Sequence, residues 1–135
     1  MGSTSSTNKK TKNSIKNFVS WFEIPVIDFD QAVTFYSHIF SITMEKSISD
    51  TVSMAFFPVD QGVGGAVISG SGSVPSTSGP LLYLNGGSDL NTVLNKVEEA
   101  GGRIILPKTF INKDSGYFAI FIDSQGNKLA LHSNN

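Results

Sequence analysis

The sequence contains no cysteine among its 135 residues. That absence excludes a disulfide framework, thiolate metal sites and a cysteine nucleophile. Histidine is nearly as scarce: His38 and His132 are the whole supply. Charge of one sign is also lacking. The formal net charge is -1, so no global field recruits nucleic acid or an anionic membrane. No apolar run approaches a transmembrane span. Lys9, Lys10, Lys12 and Lys16 stand in a polar opening stretch, but no apolar segment follows them, so this stretch is not expected to be a secretory signal. Residues 1–16 are expected to form a disordered polar tail. The chain is expected in the cytoplasm, with neither nucleic acid nor membrane as partner. A dinucleotide fingerprint, a phosphate loop and a supported Ser/His/Asp constellation are missing too.

What is present is one pattern written twice, in modules 17–72 and 79–133 of a single domain spanning 17–133. Each copy reads as a strand, a helix opened by a capping residue, and three short strands. The candidate caps, Asp28 and Ser88, sit 60 residues apart. Gln31 follows Asp28 at capping-box distance. Phe29, Ala32, Val33, Tyr36 and Ile39 then form one apolar helical stripe, repeated at the same spacing by Leu90, Val93, Leu94, Val97 and Ala100. Gly101 and Gly102 supply the left-handed residue that ends the second helix. Strands are expected at 18–26, 43–49, 51–58 and 65–70, then at 103–109, 117–123 and 128–132. Residues 123–127 read as a hairpin turn in which Gly126 and Asn127 can take positive φ. Residues 69–79, rich in Ser, Gly, Thr and Pro, read as a linker.

Three segments carry a family resemblance: "WFEIPVIDFDQAVTFYSHIF" (21–40), "KVEEAGGRIILP" (96–107) and "GYFAIFIDSQGNKLALHS" (116–133), the last with its D-x-x-G-N turn. Together they resemble the vicinal oxygen chelate superfamily of glyoxalases, bleomycin-resistance proteins and extradiol dioxygenases. The resemblance implies an α+β fold of two tandem βαβββ modules, forming a curved mixed sheet around a central trough. It also implies a homodimer. Metal-dependent members hold a divalent ion with His and Glu on the first and last strands of each module. Here those positions fall at Trp21, at Val67 or Ile68, at about Pro80 and at Ala130. None of these side chains can ligate a metal, so no metal and no cofactor is expected.

The trough should then hold a small organic molecule against Trp21, Glu23, Tyr83, Tyr117 and His132. Glu23 lies two residues beyond Trp21 and His132 two beyond Ala130, so strand alternation points both into the same trough. The alternative expectation is a metal-dependent lyase, isomerase or dioxygenase with a displaced site, for which Glu23 and His132 are the catalytic candidates. His38, near the end of the first helix, is expected on the helix surface.

Overall fold

The computed structural model describes residues 13–70 and 72–135. Most of the expected tail, residues 1–12, lies outside the described residues; residues 13–16 are exposed. The chain runs β1 (Trp21–Pro25), α1 (Phe29–Phe40), β2 (Glu45–Ile48), β3 (Val52–Phe56) and β4 (Gly64–Gly70). It then repeats the order as β5 (Tyr83–Asn85), α2 (Asn91–Leu94), β6 (Arg103–Asn112), β7 (Gly116–Ile122) and β8 (Lys128–Ser133). Two four-stranded mixed sheets result, ordered β1-β4-β3-β2 and β5-β8-β7-β6. In each the first pairing is parallel and the others antiparallel. The duplication reaches single hydrogen bonds: Val26 N–H to Ile68 O, 2.9 Å, recurs as Gly86 N–H to His132 O, 2.7 Å. No described helix is long and apolar enough to cross a membrane.

Helix α1 forms where its sequence demands it. Asp28 is extended, and its carboxylate accepts the Gln31 N–H at 3.1 Å, satisfying one orphan donor. The stripe Ala32, Phe35, Tyr36 and Ile39 is buried, and Ser41 closes the helix in the left-handed region at φ 55°. The capping box is only half made. Gln31 does not return to Asp28; the Gln125 side-chain oxygen accepts the N–H groups of Ile27 and Asp28 instead, at 2.9 and 2.7 Å. Gln125 in turn donates to Gln31 Oε1 at 2.7 Å.

The second helix departs further from expectation. Only Asn91–Leu94 is α-helical, and Ser88 does not cap it. The Leu90 N–H is drawn to Ser133 Oγ at 3.0 Å, while Asp89 Oδ1 accepts from the Asn91 N–H at 2.9 Å. Residues 95–101 continue as turns, and Gly101, at φ 106°, ends them. The apolar spacing still does its work: Leu90, Val93, Leu94 and Val97 are buried.

One core serves both modules. Phe35 and Tyr36 of α1, Ile24 and Val67 of the first sheet, and Phe121 and Leu131 of the second belong to a single apolar cluster. Phe35 reaches Phe121 at 6.3 Å between ring centroids. A buried polar clasp locks the modules together. The Tyr36 hydroxyl donates to Asp123 Oδ2 at 2.6 Å, and Asp123 also accepts from the backbone N–H groups of Gln125 and Asn127 and the Asn127 amide. That amide also donates to the Pro25 carbonyl at 2.7 Å. Burial, then the Asp123 charge and hydrogen bond, push the Tyr36 hydroxyl well above the usual tyrosine range. In the turn itself only Gly126 takes positive φ; Asn127 contributes its side chain instead.

Two expected boundaries shift for physical reasons. Strand β6 runs past Pro107 to Asn112 with register shifts against β7. It is the edge strand, where the missing proline N–H costs no ladder bond. Residues 69 and 70, expected both to end a strand and to open the linker, belong to β4. The rest is no free spacer: Ser76 O accepts from the Lys128 N–H at 3.3 Å and Leu82 O from the Ala130 N–H at 2.9 Å.

Candidate functional site

Each sheet has a covered face and an open one. Ile24, Ala55, Val67, Leu84, Ala119, Phe121 and Leu131 are buried in the shared core. Alternation along the same strands sets the opposite face. On the first sheet Trp21 pairs with Gly64 and Glu23 with Ala66, which also faces Phe56. On the second, Tyr83 pairs with Ala130, and His132 with Phe118. Four of the five expected site residues, Trp21, Glu23, Tyr83 and His132, therefore lie on open faces.

Tyr117 does not. It pairs with Ser133, whose hydroxyl accepts the Leu90 N–H beneath the second sheet. The ring is half-buried, packed edge-on to Phe110 at 5.4 Å, with Lys108 Nζ 4.6 Å from its centroid. Tyr117 and Phe118 are adjacent aromatics, so the sequence could not decide which one turns outward. Phe118 does.

That exchange produces a matched arrangement. Trp21 lies 6.1 Å from Phe56 at 54°, and Tyr83 lies 6.3 Å from Phe118 at 46°. Each sheet thus offers one tilted aromatic pair on its open face. Trp21 and Tyr83 keep 44% and 51% of their surface exposed, which leaves two apolar ring faces available for a planar partner. Gly64 sits beneath the indole. A side chain there would meet a Trp21 ring carbon at 3.4 Å and Val59 at 3.2 Å. A hollow of about 540 Å³ opens beside this pair, lined by Trp21, Glu45, Phe56, Val59 and Gly64 among others. A second of about 320 Å³ follows the seam between modules at Glu23. Both fall in the size range of small-molecule sites. A third, about 430 Å³ and apolar, lies between Phe22, Phe40, Phe57 and Leu84 near the end of α1.

The titratable groups are not brought together as a site. Glu23 Oε2 accepts the Trp21 indole N–H at 3.3 Å on the first sheet. His132, on the second, has its Nε2 2.5 Å from the Ser115 carbonyl. Among the described residues no group of three or more His, Cys, Asp or Glu could hold a metal ion. Trp21 and Ala130 occupy open-face positions without a donor atom. Val67 is turned into the core, Ile68 is half-buried, and Pro80 precedes β5. These side chains do not fit a divalent ion. His38 is on the helix surface, 2.5 Å from Glu99.

A family model described as Glyoxalase/Bleomycin resistance protein/Dioxygenase superfamily matches residues 18–131. No curated protein matches the chain. Solved structures do. A glyoxylase/bleomycin resistance protein/dioxygenase domain from Frankia sp. aligns with TM-score 0.66 and 18% identity, covering 90% of this chain and 100% of that one. TnmS3, an antibiotic binding protein from Streptomyces sp., aligns with TM-score 0.59 and 19% identity over 91% of this chain and 100% of that one. A glyoxalase I variant from Zea mays aligns with TM-score 0.63 and 16% identity over 84% of this chain and 45% of that one. This chain spans less than half the maize protein. At such identities the likeness concerns the fold.

Proposed function

The chain belongs to the glyoxalase/bleomycin resistance protein/dioxygenase superfamily, and from that premise we propose that it binds a small planar organic molecule on the open faces of its sheets, without a metal ion and without converting it. The observation that carries this reading is the pair of exposed aromatic walls, Trp21 on Phe56 and Tyr83 on Phe118. A planar ligand gains both apolar burial and oriented ring contacts from such walls. The antibiotic-binding protein among the structural neighbours supports a sequestering role. The rival reading, a metal-dependent lyase, isomerase or dioxygenase at Glu23 and His132, wants a third donor, and no group of three or more His, Cys, Asp or Glu stands together among the described residues.

A homodimer in the cytoplasm belongs to the same proposal. Edge strand β6 exposes Ile105, Phe110 and Ile111, an apolar border that a second copy would cover. Light scattering on the purified protein checks this, and a monomer contradicts it. The binding reading is tested with Trp21→Ala and Tyr83→Ala, each expected to weaken anilinonaphthalene sulfonate binding about tenfold. In parallel, protein incubated with Zn, Ni, Mn, Fe or Co is expected to retain none after desalting. Unchanged affinities in both variants, or tight stoichiometric metal, would overturn it.

A further inference from the structure

The segment joining the modules lines a cleft of its own. Val74, Ser76, Ser78, Pro80 and Leu82, every second residue, face the hollow of about 320 Å³ at the seam. That period of two marks an extended wall, and the wall is pinned to the start of β8 by the Ser76 backbone: its N–H donates to Asn127 Oδ1 at 3.1 Å and its carbonyl accepts from Lys128.

Two opposite charges line this same hollow, Glu23 from β1 and Lys128 from β8. Among the described residues neither forms an ion pair, with each other or with a third group. The one hydrogen bond of Glu23 among them, from the Trp21 indole, occupies Oε2 and leaves Oε1 without a protein partner. A carboxylate and an ammonium that share a cleft yet stay apart leave room for a ligand that pairs with both. The Trp21–Phe56 wall lines a separate hollow, and the hydrogen bond from the Trp21 indole to Glu23 links it to the seam, so an aromatic group seated on that wall would bring its polar end toward Glu23.

We infer that the ligand is an aromatic zwitterion, whose ammonium meets Glu23 and whose carboxylate meets Lys128. This rests on the reading of the open faces as a small-molecule site. Amino-acid-like compounds with a ring side chain are the class that fits. Charge-assisted hydrogen bonds of this kind, partly solvated, are worth about a factor of ten in affinity each.

The experiment compares L-phenylalanine, phenylethylamine and phenylacetate, which share a ring and differ in charge. The protein's single tryptophan is Trp21, so its emission reports binding of all three. Phenylalanine is expected to bind about tenfold more tightly than either analogue. Glu23→Gln should erase its advantage over phenylacetate, and Lys128→Met its advantage over phenylethylamine. Equal affinities for the three compounds, or a preference untouched by both variants, would overturn the zwitterion assignment while the aromatic-wall reading stands. No saturable response to any of the three overturns the assignment as well. If anilinonaphthalene sulfonate also fails to bind, the wall reading falls with it.

Discussion

Tyr36 shows how much a single buried side chain holds in place. Its hydroxyl supplies one of four donors to the Asp123 carboxylate, which is 3% exposed. Tyr36→Phe removes that donor and leaves a buried acceptor less satisfied, a loss of about 1–3 kcal/mol. The pH dependence follows from the raised Tyr36 value. The unfolded chain releases this proton near pH 10, about the ordinary tyrosine value, and the folded chain releases it only at higher pH. Stability from this group is therefore full below about pH 10 and is lost as pH rises toward the folded value. Urea midpoints measured from neutral to alkaline pH should fall more steeply for the parent than for Tyr36→Phe. Parallel curves would contradict the assignment. At this scale the sequence was readable where a residue acts on near neighbours, as Asp28 does on Gln31. It was not readable where a distant residue intervenes: Gln125, 97 positions from Asp28, holds the N–H that the capping box would have used.

Among the elements, α1 and α2 differ although their apolar spacing is the same. In α1 the cap, the stripe and the left-handed stop at Ser41 agree, and the helix runs twelve residues. In α2 the first turn is recruited by the end of the chain, Ser133 to Leu90, and by Asp89. Asp89 is held below the usual carboxylate range, first by its hydrogen bond from Lys108 on β6. Tertiary partners override local propensity there. The entry to α1 depends on the β7–β8 turn in the same way. Gln125→Ala would hand the exposed Ile27 and Asp28 N–H groups to water and cost about 0.5–1.5 kcal/mol. Hydrogen exchange at Ile27 and Asp28 should accelerate more than exchange at Phe35 or Tyr36. Uniform acceleration across the helix would mean that the turn acts on global stability alone. The open face of β7 was hidden for another reason: Tyr117 and Phe118 satisfy either phase of alternation, and only the Ser133 pairing settles it.

For the whole molecule, the duplication is the feature that organises everything else. Two sheets share one core on their covered faces and each turns an aromatic pair outward. The doubled pattern made the fold legible because each module repeats the same order of elements. The site was legible only in part, since four of its expected residues follow from alternation. One wall of the seam hollow comes from the connecting segment, whose Ser, Gly and Pro content reads as a spacer until its hydrogen bonds to Asn127 and Lys128 are seen. The central claim is that these open faces bind a planar organic molecule and need no metal to do so. Titrating the Trp21 emission with anilinonaphthalene sulfonate in excess EDTA tests it most directly. Saturable quenching at one site per chain is expected, with binding about tenfold weaker in Trp21→Ala when the bound dye's own emission is followed. Quenching that fails to saturate, or that arises only after a divalent metal is restored, would contradict it.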